Sequence, residues 1–172
     1  MNAPGTQPPS GDQVRVTIAV AVPPEVAFEI FTSEIDRWWR KGPKYRDPEM
    51  SGGFIRLEPG IGGRLFESVG SDGDERVFEV GRVSVWEPPS RLAFSWRNRT
   101  FVPSETTEVE VTFASTSGGT LVTVLHRGWT NLRPDHPARQ GMPVAAFLRS
   151  AGLWWAEQMT SMRMFVEDLS QR

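Results

Sequence analysis

Val14, Val16, Ile18 and Val20 are apolar at every second position, with Arg15, Thr17 and Ala19 between them. Side chains alternate faces along an extended chain, so this pattern predicts a strand with one buried face. Pro23 and Pro24 end the strand and suit the first turn of a helix, whose N–H groups have no intrahelical partner anyway. Val26, Ala27, Ile30 and Phe31 then recur at helical spacing. A second short helical turn is predicted over 33–39, with Ser33 as its cap. Residues 40–50 mix Lys, Pro, Gly and Asp and read as a loop.

From Gly52 onward strand and turn alternate. Strands are predicted over 54–58, 62–69 and 75–86, with Ser71-Asp72-Gly73-Asp74 as the hairpin turn between the last two. Gly81, inside the third of these, marks a bulge or bend. Glu87-Pro88-Pro89-Ser90 turns the chain into Leu92, Phe94 and Trp96, which alternate with Ala93 and Ser95. A loop follows from 97 to 103. Thr107, Val109, Val111 and Phe113 then alternate with Glu108, Glu110 and Thr112, and Ser117-Gly118-Gly119 turns this strand into the next, 120–127. Short connections favour antiparallel neighbours.

The last element is helical. Val144, Phe147, Leu148, Ala151, Trp154 and Trp155 begin a stripe at steps of three and four, and Gln158, Met159, Met162, Phe165, Val166 and Leu169 continue it. It spans roughly 25 residues, or about 38 Å, enough to cross a sheet of this width. Gly152 is the weak helix former within it. One strand, a helical pair, six strands and a long helix exclude a doubly wound sheet, which needs repeated crossover helices. The predicted class is α+β: a curved antiparallel sheet of about seven strands around the C-terminal helix. Gly62-Gly63 and Gly81 assist the bending.

Composition narrows the chemistry. The chain has 172 residues and 38% apolar content, which suits one domain with a real core. Net charge is −2 and the basic residues are scattered, so nucleic acid is not an expected partner. There are no cysteines, which removes disulfides, thiolate metal sites and a thiol nucleophile. Residues 1–12 read as a flexible tail without signal-peptide character, and no apolar run approaches a membrane span, so a cytoplasmic location is expected. The unusual feature is aromatic: seven Trp and ten Phe against one Tyr, Tyr45.

Several segments carry a family resemblance. "VTIAVAVPPEVAFEIFTSEIDRWW" (16–39), "EPGIGGRLFE" (58–67), "GRVSVWEPPSRLAFSW" (81–96) and "GGTLVTVLHRGW" (118–129) follow one another in the order of the helix-grip fold of the START and pollen-allergen-like superfamily, SRPBCC. Within it the chain most resembles the heat-shock-protein ATPase activator homologues, over about 16–169. The resemblance implies a single helix-grip domain over 13–172, with an apolar cavity between sheet and long helix. Superfamily members bind lipids, steroids, hormones or polyketides there, a minority catalyse polyketide cyclisation or dehydration, and the eukaryotic activators contact a chaperone.

Candidate cavity-lining residues follow from strand parity and helix position. Phe66, Phe78, Phe94, Trp96 and Phe113 are assigned to inward parities, and His126 shares the parity of Val122 and Val124. Trp38, Trp154, Trp155, Gln158, Met159 and Met162 are the helical candidates. Adjacent helical residues point about 100° apart, so one of each Trp pair is expected at the cavity and the other at its rim. Plain core packing is the alternative for all of these. His126 reads either as a general base or as a buried ring bonded to a backbone carbonyl. Trp86 shares parity with Arg82 and Ser84 and is assigned to the outer face or a rim. Glu29, Glu67 and Glu79 are the carboxylates placed nearest apolar neighbours; they read either as a buried carboxylate with a raised pKa that acts as an acid or, the favoured reading, as solvated surface groups.

His136 is a loop residue, and with two histidines and no cysteine a zinc site would need carboxylates to complete it. Gly62-Gly63 lacks the lysine of a phosphate loop, and no serine sits in a Gly-x-Ser-x-Gly elbow. No catalytic constellation, metal site or cofactor is therefore assigned.

The expected function is binding of a small hydrophobic or aromatic molecule, with His126 or Gln158 as a polar contact. One alternative is a cyclase- or dehydratase-like enzyme using His126 and a nearby carboxylate. Another is a co-chaperone-like interaction module, with an exposed apolar patch around Trp38-Trp39 and 97–104. A protein partner or a homodimer stays open.

Overall fold

A computed structural model describes residues 12–172, so nearly all of the tail expected over 1–12 lies outside the described residues. The alternating segment at the start forms β1 (Gln13–Val20). Pro24 occupies the first turn of α1 (Pro24–Thr32), which buries Ala27, Phe28, Ile30 and Phe31. The short α2 (Ile35–Trp38) follows almost without a break. Ser33 is not its cap. It sits in helical conformation at the end of α1, where its N–H still bonds to the Glu29 carbonyl at 2.8 Å. A capping residue needs extended backbone, which Ser33 lacks.

Six further strands follow: β2 (Phe54–Leu57), β3 (Arg64–Val69), β4 (Arg76–Glu87), β5 (Arg91–Trp96), β6 (Thr107–Thr116) and β7 (Gly119–Arg127). They join β1 in one antiparallel sheet of seven strands, ordered β1-β7-β6-β5-β4-β3-β2. The chain then crosses back as α3 (Val144–Ser170), which packs against β1 and α2. The core lies between the sheet's inner face and these helices, with Leu92, Phe94, Val109, Val122, Met159 and Met162 among its most buried side chains.

Two irregularities in β4 decide which side chains face inward. Leu65 pairs with Gly81 but Phe66 with Glu79, so Val80 is an extra residue on β4. Val83 pairs with Phe94 but Val85 with Ala93, so Ser84 is a second extra residue. Each bulge shifts the alternation by one. Trp86 therefore shares a face with Leu92 and meets Phe28 edge-on at 5.2 Å, inside rather than on the outer face assigned to it. Phe66 is corrected the other way. It pairs with Glu79 on the outer face under the Arg64 guanidinium, 4.5 Å above its ring, while Leu65 and Glu67 point in.

Gly81 marks the first bulge, as its place in the sequence suggests. A Cβ there would lie 1.6 Å from the Ser95 carbonyl oxygen, so only glycine lets β4 and β5 approach at this point.

Candidate functional site

The bent sheet and α3 do not close on each other completely. A cavity of about 440 Å³ remains between the sheet, at Phe78 and Val80 of β4 and Trp96 of β5, and the first half of α3. Phe78, Val80 and Trp96 form its sheet wall, and Phe147, Ala151, Trp154 and Trp155 its helix wall. Trp39 and residues 43–48 close one side, and residues 97–100 form part of the mouth.

The aromatic wall is one connected array. Trp39 and Trp96 stack at 5.9 Å with planes 27° apart. Trp154 meets them edge-on at 5.8 and 6.0 Å, and Trp155 meets Trp39 edge-on at 5.8 Å. Three of the indoles are pinned by their N–H groups. Trp39 donates to the Tyr45 carbonyl (3.1 Å), Trp154 to the Lys44 carbonyl (2.8 Å), and Trp155 to His126 Nδ1 (3.1 Å). Fixed rings give a ligand contact surface that loses little conformational entropy on binding.

His126 is at the centre of a chain of bonds. Its Nδ1 accepts from Trp155, so its proton is on Nε2, which donates to Thr107 Oγ1 at 2.7 Å. The Thr107 hydroxyl in turn donates to the Trp96 carbonyl at 3.2 Å. Burial pushes the imidazole pKa down to about 3, so the ring is neutral. Both nitrogens are engaged by side chains, neither by a carboxylate nor by the backbone carbonyl expected from the sequence. An acid partner for general-base chemistry is not in hydrogen-bond reach.

The wall formed by 40–48 has no periodicity and is held by polar bonds. The buried Arg46 guanidinium donates to Asp36 Oδ1 (2.7 Å), the Asp36 carbonyl (3.1 Å) and the Trp39 carbonyl (2.8 Å). Asp36 Oδ1 also accepts the Ile55 N–H at 2.9 Å. Glu157 on α3 accepts from Lys44 Nζ (2.7 Å) and the Tyr45 hydroxyl (2.6 Å), which hold its carboxyl below the usual range. Arg99 pairs with Asp47 and lies 4.7 Å over the Phe78 ring. The cations Lys44, Arg46 and Arg99 are thus each matched to a carboxylate at the mouth.

Glu67 departs from the solvated role expected of it. It is 5% exposed, lines the cavity beside its cross-strand partner Phe78, and accepts the Asp47 N–H on both carboxylate oxygens at 3.1 Å. Burial raises its pKa, the Asp47 N–H and the Arg46 and Arg99 charges pulling the other way.

On the far side, Trp129 follows β7 in a short 3-10 turn (Trp129–Asn131). The buried Arg139 holds that turn, donating to the carbonyls of Trp129 (2.8 Å) and Leu132 (3.1 Å).

The family model described as Activator of Hsp90 ATPase homolog 1-like protein matches residues 21–146. The chain belongs to this family. No curated protein matches this activator-like chain. Among solved structures, protein MLL2253 from Mesorhizobium loti superposes with a TM-score of 0.60 at 19% identity, over 91% of this chain and 97% of that one. A protein from Rhodobacter sphaeroides gives 0.63 at 21%, over 95% and 97%. CalU16 from Micromonospora echinospora gives 0.53 at 20%, over 90% and 72%. At these identities the likeness is one of fold, the SRPBCC helix-grip. No helix among the described residues of this activator-like chain is long and apolar enough to cross a membrane.

Within this activator-like fold, five of the residues assigned from sequence line the cavity: Phe78, Trp96, His126, Trp154 and Trp155. Trp154 and Trp155 both do so, because the cavity wraps around α3 far enough to meet two adjacent side chains. Trp38 does not. Its indole N–H donates to the Ile30 carbonyl at 2.9 Å within the core, and Trp39 faces the cavity instead.

Phe94, Phe113, Met159 and Met162 are core residues away from the cavity, as is Gln158, whose Oε1 accepts the Arg40 N–H at 2.9 Å. Phe66, on the outer face of the sheet, does not reach it. Sequence reasoning missed Trp39, Glu67 and Trp129. The segment "RWW" offered Trp39 as an equal choice, and Glu67 was one of three carboxylates flagged by apolar neighbours but assigned to solvent, whereas no pattern distinguished Trp129. Trp38 and Trp39 are both buried, so the exposed patch expected there does not form.

Proposed function

We propose that the protein binds a small apolar or aromatic molecule in the cavity between sheet and α3. The observation that carries this reading is the cavity itself. At about 440 Å³ and walled by pinned indoles, it falls in the size range of small-molecule sites. The polar bonds around it, from Arg46 to Asp36 and from Glu157 to Lys44 and Tyr45, fix the loop wall against α2 and α3. Binding rather than catalysis is favoured by His126, the imidazole in the wall. Its two nitrogens are committed to Trp155 and Thr107. That the related CalU16 and DynU16 share this fold supports a cavity-based role, and DynU16 belongs to the dynemicin biosynthetic locus.

Calorimetric titration with neutral two-ring aromatics tests the proposal. The wild-type protein is expected to bind them with measurable heat. Ala151→Phe places a ring in the cavity from α3 and is expected to weaken binding at least ~10-fold, the change that follows from losing most of the contact with one wall. Equal affinity in the two proteins would place binding elsewhere and overturn the reading.

A further inference from the structure

The cavity has two polar poles that its walls leave incompletely satisfied. The first is Glu67. A carboxylate has about four lone-pair sites, and the hydrogen bonds formed here come from a single backbone N–H, that of Asp47. No lysine or arginine forms an ion pair with it among the described residues, although it is 95% removed from solvent at 5% exposure. The second pole is Trp129. The residue lines the cavity and is 6% exposed, and its buried Nε1–H has no hydrogen-bond partner among the described residues. A buried donor without an acceptor costs free energy that a ligand can recover. The poles stand on different parts of the sheet: Glu67 is on β3 and Trp129 follows β7, with β4, β5 and β6 between them.

The region between the poles is aromatic, which selects a flat, rigid body. The charges select a neutral one. Arg46 and Arg99, although paired with Asp36 and Asp47, still act on Glu67 and disfavour a further cation there, and the Glu67 carboxylate disfavours an anionic group. A neutral hydroxyl is a donor that carries neither penalty, and a carbonyl is the neutral acceptor suited to an indole N–H.

Building on the proposed ligand cavity, we infer that its occupant is a neutral aromatic molecule bearing a phenolic hydroxyl that donates to Glu67 and a carbonyl that accepts from Trp129. Specificity then comes from the two ends of the ligand and general affinity from the Trp array. A ligand lacking either group leaves one pole unpaired, and rejection by unpaired buried groups is stronger than rejection by shape alone.

The test is a calorimetric comparison of three probes of nearly equal shape. They are 6-hydroxy-1-tetralone, 1-tetralone without the hydroxyl, and 5,6,7,8-tetrahydro-2-naphthol without the carbonyl. Wild-type protein is expected to bind the first about 10-fold or more tightly than 1-tetralone, and about 5-fold more tightly than the tetrahydronaphthol, as befits one charged and one neutral hydrogen bond. In Glu67→Gln the hydroxyl preference shrinks while the carbonyl preference persists, and Trp129→Phe gives the converse. Because the main comparison is made in wild-type protein, it does not depend on the variants folding.

Equal binding of all three probes overturns the assignment of the poles and leaves the cavity reading standing. Absence of binding by any probe at millimolar concentration overturns both. Loss of both preferences together in either variant also overturns the assignment, because it means that neither residue acts on its own end of the ligand.

Discussion

Gly81→Ala is expected to destabilise the protein by about 3–5 kcal/mol and to lower its Tm by about 10 °C, measured by thermal unfolding followed by circular dichroism. The added Cβ would lie 1.6 Å from the Ser95 carbonyl oxygen and 2.6 Å from the Ser95 carbonyl carbon, and neither is a flexible side-chain atom that can step aside. Relief requires β4 and β5 to separate next to their bond from Arg97 N–H to the Val80 carbonyl (2.8 Å) and the contact of Arg82 N–H with Ser95 Oγ (3.0 Å). Phe78 and Val80 belong to the same stretch and line the cavity, so ligand binding is expected to weaken with stability. A Tm within about 2 °C of wild type would mean that β4 and β5 can part at the bulge with little loss.

Acidification is expected to remove stability through His126. Its pKa falls from 6.5 to about 3 on burial, with desolvation the cause. Above pH 6.5 the ring is neutral in both folded and unfolded chains and contributes nothing to pH dependence. Below that value the unfolded chain takes up a proton that the folded chain refuses until about pH 3, so the unfolded state gains. Linkage gives a loss of about 2 kcal/mol by pH 5 and about 4 kcal/mol by pH 3.

Glu67 works in the opposite sense. Its folded pKa is raised, so protonation as pH falls through that pKa favours the folded chain. His136 is pushed down, chiefly by burial, and adds to the loss. Neither of these contributions changes in His126→Gln, which isolates the His126 share. Urea unfolding between pH 7 and 5 is expected to show a decline about 2 kcal/mol shallower in His126→Gln than in wild type, whatever the variant's stability at neutral pH. Parallel declines would show that His126 is not held neutral in the folded chain.

The strands and the long helix were legible because their burial is regular. The alternation at 14–20 and 107–113 and the stripe along 144–169 each state a period, and the period states the element. The antiparallel order followed from the short turns between strands. Counting across an interruption failed. Trp86 was assigned by parity along β4, but that strand carries two extra residues that reverse its facing, and only Gly81 gave any sign of them. Phe66 was misassigned within β3, where it adjoins the equally apolar Leu65 and alternation does not choose between them.

The choice between Trp38 and Trp39 failed for a different reason. α2 is a single turn, too short for its periodicity to set a phase, and Trp39 lies just past its end in extended conformation. The loop wall at 40–48 was invisible as a wall because polar bonds from Arg46, Lys44 and Tyr45 hold it, and such bonds leave no hydrophobic pattern. Glu67 was read as solvated because carboxylates usually are. Its burial depends on Asp47, twenty residues earlier in the chain, whose N–H is its one hydrogen-bond donor among the described residues.

The most direct measurement of cavity binding is a titration of the uniformly 15N-labelled protein with 6-hydroxy-1-tetralone, reading the indole N–H signals of its seven tryptophans. Trp39, Trp96, Trp129, Trp154 and Trp155 line the cavity, while Trp38 and Trp86 are packed elsewhere in the core. Binding in the cavity predicts saturable shifts at the first five with the last two nearly unmoved, and the largest at Trp129, where a hydrogen bond forms. Saturable shifts confined to Trp38 and Trp86, or no shift at any indole at millimolar probe, would contradict it.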